Sequence, residues 1–349
     1  MTYQKHCVGI DISQKTFTAC ICSLSVNQEL LFSEVREFPN DKKGFNQLNR
    51  WVLKTLKSKD DLVYLMEATG VYYENLAYHL HKIKKTVHVS LPNKTKHYFA
   101  SLNVKSKTDA IDAKVLSQFG VERKHSSWVP PKAIYRELRN LTRYYVQLQE
   151  QKTSLGNIKH SKEESHEVQA FILKSNKQLI TSIEKQIEKI KVQIQKTIAS
   201  DKELESKIDK LTSIKGVGLL TVVTIVAETF GFDQFNNIKQ LISYAGYDVV
   251  QRESGTSIKG KTRISKKGNR YIRNALYFPA MVSCRYNENL KEVYLRIIQK
   301  KPSKMVGQVA IQRKLLVLMY TLWKTNQVYN PNHKMKVAPA NTEATQDNS

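Results

Sequence analysis

Four carboxylates in the first third of the chain stand where a fold can gather them. Asp11 closes the apolar run VGIDIS, Glu67 closes VYLMEATG, and Asp109 and Asp112 lie three apart in TDAIDAKVLSQF. Strand ends present side chains to a cleft, and a spacing of three puts two helical residues on one face. Clustered carboxylates repel one another unless a cation sits between them, and hard ions such as Mg²⁺ or Mn²⁺ prefer such oxygen ligands. Two such ions about 4 Å apart can activate an attacking oxygen and stabilise a leaving oxygen in phosphoryl transfer. Each acid taken alone also has a plain structural reading as a turn or cap residue, with Asp109 as the cap of its helix. Lys105 and Lys107, just before that helix, either hold phosphate or are simply solvated.

A second chemical stretch is YAGYDVVQRESGTSIKGKTRISKKGNRYIRNALY. It carries Lys259, Lys261, Arg263, Lys266, Lys267, Arg270 and Arg273 with no acid among them. Such a segment suits the gripping of phosphates, and Tyr271 and Tyr277 are available for stacking. Ser254 and Ser257 lie in its glycine-flanked loop. A serine hydroxyl is a poor nucleophile until a base, a metal or a cationic surround activates it. GTSIKGKT, residues 255–262, also spells a nucleotide phosphate loop. The polar, glycine-interrupted continuation RISKKGN argues against the packed helix that such a loop must open. Upstream, IKGVGLLTVV resembles a helix–hairpin–helix element in which Gly216 and Gly218 allow a tight turn. Backbone N–H groups at that helix start can bind phosphate.

The charge balance points the same way. The 349 residues hold 56 Lys and Arg against 31 Asp and Glu, a formal net charge of +25. That excess favours a polyanionic partner, because neutralising phosphates releases condensed counterions. No run of eighteen apolar residues exists, and MTYQKHCVGIDIS lacks the form of a secretory signal, so a cytoplasmic protein is expected. Cys7, Cys20, Cys22 and Cys284 are too few and too uneven for a disulfide framework, and no zinc ligand set accompanies them.

Hydrophobic patterning supplies the frame. Residues 1–125 read as three strands (CVGIDIS, FTACICS and ELLFSEVREF) followed by helix, strand, helix, strand, a basic stretch from Asn93 to Lys107, and a helix. This order suggests a mixed sheet with helices packed on it, suited to a ribonuclease-H-like core. Residues 126–210 read as a helical, coiled-coil segment with a polar break near Gly156–Glu167. There Ile183, Ile187, Ile190 and Ile194 form a short heptad seam, expected to pair between two chains. Residues 211–330 form a mainly helical unit, and the polar residues 331–349 read as a disordered tail. The fold class is thus α/β followed by mainly α.

In combination and in order, GIDIS, MEATG, KTDAIDA, SIKGVG, YAGYDVVQRESGTS and RISKKGNRYIR resemble the DEDD-type serine transposases of insertion-sequence family 110, which include Piv-like DNA invertases. The resemblance covers nearly the whole chain to about Asn330. It implies a RuvC-like domain binding Mg²⁺ or Mn²⁺ through Asp11, Glu67, Asp109 and Asp112. It further implies a coiled-coil segment and a C-terminal domain whose nucleophile is Ser254, with Ser257 the lesser candidate. Donor and target DNA, a structured non-coding guide RNA, and assembly into dimers or tetramers with composite active sites are its implied partners. A metal-only junction nuclease and a non-catalytic nucleic-acid-binding scaffold are the competing readings.

Overall fold

A computed structural model describes residues 3–56, 61–251, 253–254, 258–260, 263–300 and 303–332. The chain divides into two units between Pro130 and Pro131.

The first unit is built on a six-stranded sheet. Its elements are β1 (Tyr3–Ile12), β2 (Thr16–Ser25), β3 (Leu30–Phe32), β4 (Arg36–Pro39), α1 (Lys42–Thr55), β5 (Leu62–Glu67), α2 (Glu74–Lys82), β6 (Thr86–Ser90), α3 (Pro92–Ser101) and α4 (Asp109–Glu122). The strand order is β3-β2-β1-β5-β6, with β4 also on β2. β1 runs antiparallel to β2 and parallel to β5, and β5 runs parallel to β6. The mixed sheet with helices on it, expected from the order of strand-like and helical segments, is present.

Alternation along the strands decides what each face buries. On one face Val8, Ile10, Tyr64 and Met66 pack with Leu48, Trp51, Leu76 and Leu80 of α1 and α2. On the other, Cys7, Val63 and Leu65 pack with Tyr98, Leu116 and Phe119 of α3 and α4. Two details depart from expectation. ELLFSEVREF forms two strands rather than one, because Ser33 interrupts it and its hydroxyl accepts from the Ile21 amide at 3.0 Å. The basic stretch from Asn93 contains helix α3, begun by Pro92 in the first turn, where its missing N–H costs nothing. The three cysteines of β1 and β2 are buried and free, and burial pushes the Cys22 thiol up to about 12.

The second unit is mainly helical. It comprises α5 (Ala133–Glu163), α6 (Ala170–Ala199), α7 (Lys202–Thr212), α8 (Leu219–Glu228), α9 (Ile238–Ala245), β7 (Val249–Val250), β8 (Glu253–Ser254), β9 (Ile258–Lys259), β10 (Arg263–Ile264), α10 (Arg270–Tyr286), α11 (Glu288–Lys300) and α12 (Lys304–Thr325). The isoleucine seam does not need a second chain. Ile187, Ile190 and Ile194 are buried in one core with Tyr135, Leu138 and Leu148 of α5, and Lys152 pairs with Glu184 at 2.7 Å across the two helices. The same core continues through α7, α8, α10 and α12. Gly156 lies inside α5 rather than in a break, and the chain turns only after Glu163. Among the described residues no helix is long and apolar enough to cross a membrane.

Candidate active site

Alternation aims two of the four acids. Asp11 shares the face of Cys7 and Gly9 on β1, and Glu67 shares that of Val63 and Leu65 on β5. The parallel register pairs Ile10 with Met66, so Asp11 and Glu67 follow at adjacent strand ends. Helix α4 covers this face unusually closely. A Cβ on Gly9 would lie 2.0 Å from the Ser117 amide nitrogen and 2.4 Å from the Ala113 carbonyl oxygen, while one on Gly120 would meet Cys7 Sγ at 2.1 Å. The helix therefore runs antiparallel to β1, and its N-terminal turn, bearing Asp109 and Asp112, lies toward Asp11. Thr108, not Asp109, caps that turn by accepting from the Ile111 amide at 3.3 Å, which leaves Asp109 in the first turn as an acid.

The electrostatics register this convergence. Burial, and then the charges of Asp112, Asp109 and Glu67, raise the Asp11 carboxyl to about 6, against a partial offset from Lys107. Asp112 is also raised, by burial first, with Lys107 opposing and Asp109 and Glu67 adding to it. Lys107 Nζ stands 3.9 Å from Asp112 Oδ2. The other oxygen, Asp112 Oδ1, is buried with no hydrogen-bond partner. Glu67 is held from both sides: Thr69 Oγ1 donates to Oε1 at 2.8 Å, and the buried Thr95 of α3 donates to Oε2. Lys105 is exposed. Neither threonine was legible as a site residue, because nothing in NKTKHYF announces a helix that brings Thr95 back to Glu67.

Among the described residues no three His, Cys, Asp or Glu side chains are close enough to enclose an ion. The acids sense one another's charge without yet sharing a ligand cage. The donor set is nonetheless that of a hard divalent ion: four carboxylates, one of them presenting a buried oxygen without a donor.

In the second unit a stitched ribbon carries the serine. Ser265 N donates to Asp248 O at 2.8 Å, Lys266 N to Gly246 O at 3.1 Å and Asn269 N to Tyr244 O at 2.7 Å, so the end of α9 and the start of α10 are clamped together. β7 and β10 pair beyond the clamp, and the β8–β9 hairpin, where Ser254 pairs with Ile258, lies farther out. The side chains of Ser254 and Lys259, and Ser257 and Lys261 entirely, lie outside the described residues. Where GTSIKGKT would need a helix, Arg263–Ile264 is a strand.

The basic residues divide by role. Arg263, Lys266, Lys267 and Arg270 are exposed. Arg273 turns inward and donates to Ala245 O at 2.7 Å, closing α9. The ring of Tyr271 is already covered by Arg143 at 4.5 Å and Arg270 at 5.1 Å, whereas Tyr277 is exposed. Gly216 adopts φ +95°, and Gly218 stands at the start of α8. A buried node missed by sequence reading holds this region. Glu228, fully buried, accepts from Arg143 Nε at 2.6 Å and Nη2 at 2.8 Å, and from Asn269 Nδ2 at 2.7 Å. Asn269 in turn caps α10, accepting from Tyr271 N and Ile272 N.

Comparison with known proteins places these features in a lineage. A family profile described as a DEDD-type IS110 transposase matches residues 8–161, and one described as "Transposase IS116/IS110/IS902 family" matches residues 208–295. The chain is 29% identical to the pilin gene-inverting protein of Moraxella bovis over 93% of its own length and 98% of the relative's. The same figures hold for the pilin gene-inverting protein of Moraxella lacunata. A probable family 20 transposase of Pseudomonas aeruginosa is 25% identical over 46% of this chain and 47% of that one. The chain belongs to the IS110 family of transposases and is a DNA recombinase.

Proposed function

We propose that this protein breaks and rejoins DNA strands by a serine-linked, divalent-metal-assisted route, with the first unit acting as a RuvC-like metal domain. The observation that carries the reading is the raised Asp11 carboxyl, produced by burial and by three acids drawn from two other elements. The strand order β3-β2-β1-β5-β6, with acids at the ends of β1 and β5, supports the ribonuclease-H-like assignment.

Asp11, Glu67, Asp109 and Asp112 would hold Mg²⁺ or Mn²⁺, whose contribution when bound is to activate the attacking oxygen and neutralise charge on the leaving one. Thr69 and Thr95 fix the Glu67 carboxylate, and Lys107 lessens the repulsion around Asp112. The Ser254 Oγ attacks a DNA phosphorus, forming an Oγ–P bond as the P–O3′ bond breaks. The serine proton leaves with the departing strand, which ends in a 3′-hydroxyl. Rejoining reverses these bonds with a different 3′-hydroxyl. Arg263, Lys266, Lys267 and Arg270, exposed and without a neighbouring acid in sequence, grip the flanking phosphates. The turn at Gly216–Gly218 offers a further phosphate site at the start of α8.

The family resemblance supports a structured guide RNA, with donor and target DNA, as partner, and assembly into dimers or tetramers. The Moraxella relatives are inverting proteins by name, so site-specific inversion falls within the same chemistry. The test pairs two variants in the presence of RNA, DNA and Mg²⁺. Ser254→Ala should abolish a denaturation-resistant protein–DNA adduct, and Asp11→Asn should abolish cleavage. Hydrolysis that survives Ser254→Ala but not Asp11→Asn would replace this route with a metal-only nuclease.

A further inference from the structure

A large cavity of the second unit lies under the ribbon that carries Ser254. Its volume is about 1180 Å³, and Val249 of β7 and Ile264 of β10 form part of its wall. Ile242, Val309, Val317 and Leu318 line its apolar floor. Arg263, Lys266, Arg313 and Lys314 stand at its polar edge, and no Asp or Glu is among its described lining residues. Burial, then the like charges of Arg296 and Arg313, push the Lys314 ammonium down. A groove so apolar, with cations at its edge, is matched by an apolar side chain flanked by carboxylates.

The same chain carries that combination at the far end of its helical arm. Glu164 and Glu167 are exposed where α5 turns into α6, beside Lys162 and a Glu163 already paired with Lys159 at 3.5 Å, and the next turn presents Phe171, 77% exposed, with Ile172 at 40%. Phe171 is the most exposed of the large hydrophobic residues described. An exposed aromatic among charges marks a contact site, since aromatic anchors dominate interface energetics. The arm cannot reach its own groove. Its two helices, of 31 and 30 residues, each extend roughly 45 Å at 1.5 Å per residue. They pack on each other along their length and root on α8 and α7, the latter packed on α12, so the turn between them stands at the end of the arm remote from the groove.

We infer that the arm tip of one copy docks into the groove beneath the serine ribbon of a second copy, with Phe171 on the apolar floor and Glu164 and Glu167 against Arg313 and Lys314. Assembly would then press on β7 and β10 and couple the seating of Ser254 to the presence of a partner. The inference is independent of the proposed DNA chemistry, because its readout is association alone.

The full chain is followed by sedimentation velocity at micromolar concentration. Self-association is expected, weakened at least about tenfold by Phe171→Asp, a surface change that leaves the fold intact. Glu164→Lys with Glu167→Lys should weaken it likewise, and Arg313→Glu with Lys314→Glu should do the same. Mixing these two charge-reversed proteins should restore association. In a mixture of Phe171→Cys and Val309→Cys proteins, mild oxidation should give a disulfide-linked heterodimer. A wild-type chain that stays monomeric would overturn the inference. Association indifferent to Phe171→Asp would do so as well, pointing to another occupant of the groove such as an amphipathic anion. So would a charge-reversed mixture that fails to re-associate.

Discussion

Gly9 and Ser117 meet backbone to backbone: a Cβ on Gly9 would stand 2.0 Å from the Ser117 nitrogen. This contact lets α4 lie directly on β1 and carries Asp109 and Asp112 toward Asp11. Gly9→Ala should therefore cost about 3 kcal/mol or more, because the neighbour is backbone and cannot rotate away. Gly156→Ala is the contrasting case. It sits in α5 with nothing within 4 Å of the added carbon, and should stabilise by about 0.5–1 kcal/mol through helix propensity. Urea denaturation of the two variants checks both signs.

The burial of Asp11, with the acids around it, makes the metal-free protein sensitive to pH. Asp11 has an ordinary value of 3.8 and a folded value of about 6, so between these the folded protein holds more proton at this site than the unfolded chain. Stability contributed by the site therefore falls as pH rises through that window, and the loss persists above it. Asp11→Asn cannot ionise. In chelator, the melting temperature of Asp11→Asn relative to wild type should shift in the variant's favour between about pH 4 and pH 7. A constant difference across that range would mean that burial and the neighbouring carboxylates do not raise Asp11.

Much of this site could be read from the sequence, and the parts that could not share a cause. The apolar runs VGIDIS and VYLMEATG marked Asp11 and Glu67 as strand-end residues, and the three-residue spacing put Asp109 and Asp112 on one helix face. Helix α3 was hidden because its buried face consists only of Thr95 and Tyr98, too little to give a periodic signal. The Glu228–Arg143 pair spans 85 residues, and a through-space partner leaves no trace in local patterning. The isoleucine seam showed its period but not its partner, which is α5 of the same chain. Gly156 suggested a break, yet a charged helix of 31 residues carries one glycine without stopping.

Glu228 should matter strongly to the folding of the second unit. Its carboxylate is fully buried and satisfied by Arg143 and Asn269, so Glu228→Ala leaves a guanidinium unpaired and α10 without its held cap. A loss of about 3–5 kcal/mol is expected, as for removal of one partner from a buried ion pair. Arg139→Ala, whose nitrogen stands at 3.6 Å and is partly exposed, should cost about 1 kcal/mol or less. Equal effects in thermal unfolding would mean that the bidentate geometry does not set the strength of the node.

Binding of Mn²⁺ to the full chain, followed by the loss of its free-ion paramagnetic resonance signal near neutral pH, tests the convergence of the four acids most directly. Wild type should bind, and Asp11→Asn and Asp112→Asn should each weaken binding at least about tenfold, or 1.4 kcal/mol. Wild-type protein that binds no Mn²⁺, or variants that bind it as tightly as wild type, would contradict a shared metal site in the first unit.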